Sequence, residues 1–176
     1  MIIYFLRHAS AGEPFANKKK DEKRGLDKEG VQQCGYVGRA LAAMDIQIDA
    51  MISSPLKRST QTASLVGNEI GHEGKLQIES ALRPGASFSD FRKLLDKYAA
   101  QEAIMVVGHN PNLSEFLGRI ISSSGCEANL ELRKGALARV EMKRNSAQLH
   151  WCMTPKILRT LYAAATESSR PKTSRK

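Results

Sequence analysis

Two histidines stand where reactive groups are easiest to place. Arg7-His8-Ala9 follows a short apolar run at residues 2–6, and Gly108-His109-Asn110-Pro111 follows another at 103–107. In an open α/β sheet, ligands bind beyond the carboxyl ends of the strands. If the two runs are adjacent parallel strands, His8 and His109 enter one crevice although they lie 101 positions apart. A single strand-end histidine is ordinarily a polar residue at a loop entrance. Two of them, with an arginine beside the first, indicate a reactive cleft. A neutral imidazole is nucleophilic near pH 7 without a strong base. Arginine offers a permanently charged fork that matches phosphate oxygens. Phosphoryl transfer needs both: an in-line nucleophile, and positive charge around the equatorial oxygens.

A third segment has the same character. Ser53-Ser54-Pro55-Leu56-Lys57-Arg58-Ser59-Thr60-Gln61-Thr62 reads as the end of a strand and the start of a helix. Ser54 suits an N-cap and Pro55 the first helical position. Asn110-Pro111 repeats that pattern. Helix N-termini attract phosphate. Arg58 falls near a first turn, where the helix dipole favours an acid, so it is expected to be paired or phosphate-bound. A merely solvated arginine is the plainer alternative.

The elements that must position these residues follow from periodicity. The runs at 2–6 and 103–107 suit central strands buried on both faces, and Ile48–Ile52 is a third such run. Apolar stripes at helical spacing lie between them: Val31, Cys34, Val37 and Leu41; Leu56, Ala63, Val66 and Ile70; Phe88, Phe91, Leu95 and Tyr98; Leu113, Phe116, Leu117, Ile120 and Ile121. Strand and helix in alternation predict βαβ units. Ala136–Met142 and Ala147–Met153 instead alternate at period two, the second with Leu149, Trp151 and Met153 on one face and His150 outward, and Asn145-Ser146 is placed to turn between them. A last helix is expected from Pro155, capped by Thr154. The fold class is therefore α/β: a three-layer sandwich with a mostly parallel central sheet, an antiparallel element near the C-terminal end, and helices on both faces. Residues 1–166 form one domain in this reading. Lys18–Arg24 is expected to be a charged mobile loop and Glu167–Lys176 a frayed basic tail.

Composition narrows the partners. The chain has 176 residues, 41% of them hydrophobic and 26% charged, which fits one globular domain. Its formal net charge of +9 suggests an anionic partner. No apolar run approaches the roughly 20 residues of a membrane span, and the start resembles no signal peptide. Cys34, Cys126 and Cys152 form no CxxC pair and read as small core residues in a reducing compartment, so the cytoplasm is expected. Aromatic residues make up 6% and do not interleave with the basic ones as single-strand nucleic-acid binders require. Neither GxxxxGK[ST] nor GxGxxG occurs. His72-Glu73 lacks the second histidine of a metalloprotease motif. The sequon Asn112-Leu113-Ser114 falls in the helix after His109, where chance is the better account.

Leu6-Arg7-His8-Ala9, the Ser54–Thr62 stretch and Gly108-His109-Asn110-Pro111 together resemble the histidine phosphatase superfamily, the phosphoglycerate-mutase-like or RHG proteins. Arg24-Gly25-Leu26-Asp27-Lys28-Glu29-Gly30 is similar to that family's R-P-L-T-x-x-G stretch. With Trp151-Cys152-Met153-Thr154-Pro155 and the small size, it narrows the resemblance to SixA-type phosphohistidine phosphatases. The likeness spans about residues 1–160. Ala9 stands where Gly is commoner, and Gly25 where Pro is.

The resemblance implies a hydrolase that needs no metal or cofactor. His8 would be the nucleophile, forming a phosphohistidine intermediate, with its other ring nitrogen donating to a backbone carbonyl. Arg7 and Arg58 would hold the phosphoryl group and His109 would donate to it as a protonated imidazole. Arg24, Asn110 and Ser54 are expected in substrate binding. Ester-cleaving members carry an acid in an L-x-E pattern, whereas here the stretch is Leu82-Arg83-Pro84-Gly85. Without an acid, an alkoxide leaves poorly, by roughly 10²–10⁴-fold, while the imidazole of a P–N bond leaves easily. Glu79 and Asp90 flank the stretch and are the possible substitutes. The leading expectation is a phosphatase acting on a phosphohistidine protein, a phosphotransfer domain or phosphocarrier, with the lysines of 18–23 attracting that partner. A small-molecule phosphomonoesterase is the second reading, and a non-catalytic protein binding phosphate or nucleic acid the third. Neither a nucleic-acid nor a membrane partner is expected, and a monomer is favoured.

Overall fold

A computed structural model describes residues 1–122, 128–144 and 146–168. Its centre is the pair β1 (Ile2–Arg7) and β4 (Ala103–Gly108). Their inner residues are buried on both faces, which is why both read as unbroken apolar runs. They pair in parallel, from Ile2 opposite Ala103 to Arg7 opposite Gly108. β2 (Ala50–Ser53) lies on the far side of β4, and β3 (Gln77–Ile78) closes that edge. β5 (Leu137–Met142) runs antiparallel to β1, and β6 (Ala147–Met153) antiparallel to β5. The sheet order is β3-β2-β4-β1-β5-β6.

Helices cover both faces. α2 (Lys28–Ala43), α3 (Lys57–Glu69) and α6 (Pro155–Ser168) pack on one, burying Cys34, Val37, Leu41, Ala63, Val66 and Leu158. α4 (Phe88–Lys97) and α5 (Asn112–Ile121) cover the other, where Phe91 stacks on Phe116 with ring centroids 4.7 Å apart. Val31 departs from its expected stripe and is exposed in the first turn of α2.

Four local expectations need correction. The Lys18–Arg24 cluster contains a short helix, α1 (Lys18–Glu22), capped by the Asn17 side chain accepting from the Lys20 N–H. Its acids explain why: Asp21 bonds Arg24 and Arg58, and Glu22 bonds Arg83. α3 starts at Lys57, two residues beyond Pro55, with Leu56 as N-cap. In β6 the period-two reading places Leu149 and Trp151 on one face, but the register shifts there: Arg139 faces Trp151 while Val140 faces Leu149. His150 is the extra residue of a bulge, and a one-residue slip exchanges faces. Leu149 therefore joins the α4–α5 core, and Trp151 the α2 core, against Tyr4. Cys152 is exposed rather than in the core, unlike Cys34. Cys126 and Asn145 lie outside the described residues. Of the expected tail, Glu167 and Ser168 continue α6, and 169–176 lie outside the described residues.

One contact fixes where α2 begins. A Cβ at Gly30 would sit 2.0 Å from the Ser10 carbonyl oxygen. The Gly30 N–H meanwhile donates to the Asp27 carboxylate at 2.7 Å. The neighbour is backbone and cannot swing aside. Gly30→Ala should therefore lower stability by about 1–3 kcal/mol. Chemical denaturation checks this, and a midpoint equal to the wild type's would refute the close approach.

Candidate active site

His8 leaves β1 at its carboxyl end. Its N–H donates to the Gly108 carbonyl at 3.0 Å, which ties it to β4. The Gly135 N–H reaches the carbonyls of Arg7 and His8 at 3.1 and 3.2 Å from the other side. The Ala9 N–H donates to the Thr62 hydroxyl at 3.1 Å, and that hydroxyl donates to the Arg58 carbonyl at 2.7 Å. The His8 ring is anchored through Nδ1, 2.8 Å from the Ala9 carbonyl oxygen. A carbonyl only accepts, so Nδ1 carries the hydrogen and Nε2 keeps the lone pair. Burial chiefly pushes the His8 pKa down, to about 3, helped by the charges of Arg58, Arg7 and Arg24. These outweigh the carbonyl contact, which favours the charged ring. His8 is thus neutral at pH 7.

His109 follows β4 and meets His8 with ring centroids 4.9 Å apart. Its Nε2 lies 2.9 Å from the Ser54 hydroxyl and 3.2 Å from that of Ser59. Burial, then His8, Arg58, Arg7 and Arg83, push its pKa down to about 2. Among these cations, and without a phosphoryl anion beside it, the ring is neutral; the protonated His109 expected from the resemblance concerns the ring with its substrate. Its donor capacity does not depend on the charge. Its Nδ1 is buried and has no partner among the described residues.

Three arginines surround this pair. Arg7 Nη1 donates to the Leu132 carbonyl at 2.9 Å. Arg58, 6% exposed, donates through Nη1 to the Asp21 carbonyl at 2.9 Å and to its carboxylate at 3.2 Å. Arg24 Nε donates to the other Asp21 oxygen at 2.7 Å, and its Nη1 to the carbonyls of Ala11 and Gly12. That pairing with Arg24 is the main reason the Asp21 carboxyl is held below the usual carboxylate range. The Nε atoms of Arg7 and Arg58 are buried without partners. Leaving a buried donor unpaired costs about 1–3 kcal/mol. Arg58, Arg7 and Arg24 thus bring positive charge to bear on His8, and guanidinium groups suit a phosphoryl anion.

The remaining expected residues divide. Ser54 is in the cleft, where it contacts His109. The Asn110 side chain is occupied in the framework: its amide donates to the Leu132 carbonyl and its oxygen accepts from the Ser114 hydroxyl. Glu79 accepts from Lys97 and from the Tyr98 hydroxyl. Asp90 closes the capping box of α4 with Ser87. Both acids therefore serve local structure. Sequence reasoning missed Asp21, Ser59 and Arg83. Ser59 and Arg83 lie inside stretches already singled out, but nothing in their spacing marks them. Asp21 was hidden among lysines.

Comparison with known proteins bears on the family and the fold. Residues 3–86 match the histidine phosphatase superfamily (branch 1). An uncharacterised protein of Picosynechococcus sp. is 31% identical over 168 residues, covering 90% of this chain and 99% of its own. The mitochondrial serine/threonine-protein phosphatase Pgam5 of Drosophila pseudoobscura pseudoobscura is 34% identical over 85 residues, 48% of this chain and 28% of that protein. The structure of the protein histidine phosphatase SixA complexed with tungstate superposes with a TM-score of 0.79 at 20% identity, over 89% of this chain and 98% of that one. The family match runs from β1 past β3 and takes in His8 and Arg58: this chain belongs to the histidine phosphatase superfamily.

Proposed function

We propose that this phosphatase hydrolyses the P–N bond of phosphohistidine on a protein, a phosphotransfer domain or phosphocarrier, through a covalent phospho-His8 intermediate. His8 Nε2 attacks phosphorus in line while the bond to the substrate imidazole breaks and that imidazole takes a proton from solvent. Arg7, Arg58 and His109 donate to the equatorial oxygens, with Arg24 at the rim. Water then attacks phospho-His8, releases inorganic phosphate and restores the neutral ring. The reaction as written uses no metal or cofactor.

One observation carries the choice of bond. Glu79 and Asp90 are committed elsewhere, Pro84 has no proton to give, and the carboxylate that does touch the arginines, Asp21, is ionised. An alkoxide leaving group needs a proton donor in the site, whereas a substrate imidazole takes a proton from solvent on its other ring nitrogen and leaves as a neutral base. Likeness to the fold of SixA supports the same reading.

Phosphoramidate or a phosphohistidine peptide should be turned over roughly 10²–10⁴-fold more efficiently than an alkyl phosphate. A preference for the alkyl ester would reject the argument. His8→Ala should abolish turnover while keeping the fold, and quenching with labelled substrate should trap acid-labile phosphate on the wild type only. Arg58→Ala should lower the rate by about 100- to 1000-fold, read as kcat on phosphoramidate.

Neutral histidines also set an acid limit on stability. An unfolded histidine takes up its proton near pH 6.5, but His8 and His109 in the fold do so only near 3 and 2. Below pH 6.5 the unfolded chain binds more protons, so stability falls with pH, by up to about 1.4 kcal/mol per pH unit for each ring. Above pH 6.5 this contribution is constant. A His8→Gln/His109→Gln variant should lose less stability between pH 7 and pH 5 than the wild type. Equal slopes would place the acid lability elsewhere.

A further inference from the structure

Beside the cleft lies a groove of about 640 Å³ that the mechanism does not use. Its walls are the first turns of α2, the loop at 131–135 and the start of α6. Arg7, Arg133, Lys134, Lys156 and Arg159 line it. The last four are exposed, and none of them forms an ion pair among the described residues. Glu29 and Glu131 also face the groove, and Glu29 accepts from the Gln33 amide at 2.9 Å. The lining stays net positive.

The groove is joined rigidly to the nucleophile. Arg7 belongs to both, since it lines the groove and precedes His8. The Leu132 carbonyl accepts from Arg7 and from Asn110, and the Leu132 N–H donates to Ser114. Gly135 is bonded to the Arg7 and His8 carbonyls. The backbone of the loop carrying Arg133 and Lys134 is thus pinned at both sides, which anchors these side chains near the phosphoryl site. Unpaired charge of one sign lining a concave surface focuses potential outward. The lysines of α1 differ, because they share their short helix with Asp21 and Glu22.

Resting on the phosphohistidine-protein reading, we infer that this groove docks an acidic segment of the substrate protein flanking the phosphorylated residue. A phosphorylated side chain seated at His8 brings its neighbouring backbone to the cleft mouth, and aspartates or glutamates a few residues away meet Arg133, Lys134, Lys156 and Arg159. Such contacts act mainly on encounter and KM, and are weakened by salt.

The test uses two synthetic phosphohistidine peptides, one with Asp and Glu flanks and one with Asn and Gln in their place. Wild-type protein should favour the acidic peptide by about tenfold in kcat/KM at low salt, and the preference should shrink at high salt. Lys134→Glu/Lys156→Glu/Arg159→Glu should remove the preference while leaving phosphoramidate turnover within about twofold of wild type; intact phosphoramidate turnover also reports an intact fold. Equal efficiency on both peptides in the wild type would overturn the proposal. So would a preference that survives the triple reversal, or one that is lost instead in Lys18→Glu/Lys19→Glu. If no P–N substrate is hydrolysed, the reaction reading fails on its own. The groove is then judged by fluorescence anisotropy of the labelled peptides on the His8→Ala protein, where tighter binding of the acidic peptide supports docking and equal binding refutes it.

Discussion

Three guanidinium groups crowded against two imidazoles repel one another, and most contacts around the cleft answer that repulsion. The fold does not neutralise the arginines fully. It holds Arg7 on the Leu132 carbonyl, Arg24 on those of Ala11 and Gly12, and Arg58 partly on that of Asp21. Carbonyl dipoles steady a guanidinium without removing its charge, so a positive field survives for an anion. The Asp21 carboxylate bridges Arg24 and Arg58. The same field, added to burial, keeps His8 and His109 neutral. Neutrality makes His8 a nucleophile, and the Ala9 carbonyl selects the nitrogen that attacks.

The frame that holds this charge is apolar and central. β1 and β4 are buried on both faces, so their register is set by packing, and it brings Arg7 level with Gly108. Asp27 performs the corresponding task on the loop after His8. It caps α2 through the Gly30 N–H and accepts from the Ser10 hydroxyl and the Gly12 N–H. Burial works against its ionisation, but those three donors prevail and hold the carboxyl below its usual range. The polar loop is thereby fastened to a helix whose position is fixed by Cys34, Val37 and Leu41 in the core.

Much of this was legible in the sequence where a residue's role follows from a periodic pattern. The two central strands, the stripes of α2, α4 and α5, and the meeting of His8 with His109 all follow from apolar spacing and the strand-end rule. What escaped was non-local. The bulge at His150 needs only one extra residue and leaves the alternation of exposure intact along β6, so period two cannot reveal that Trp151 and Leu149 serve opposite cores. The helix at 18–22 is held by carboxylates whose partners lie 37 and 61 positions away. The charge on His109 is not legible either, because a histidine's proton depends on the sum of burial and nearby charges, which no short motif contains.

The parallel pairing of β1 with β4 also orders events during synthesis. The N–H partner of His8 at Gly108 and the clamp at Gly135 are made a hundred or more residues after His8 itself. At about 5–20 residues per second, the nucleophile spends several seconds as an ordinary solvated imidazole, titrating near pH 6.5 and without its arginine field. The long loop must close before any contact rewards it. The cleft is therefore complete only once the central strands have paired and the Gly135 N–H has reached the carbonyls of Arg7 and His8.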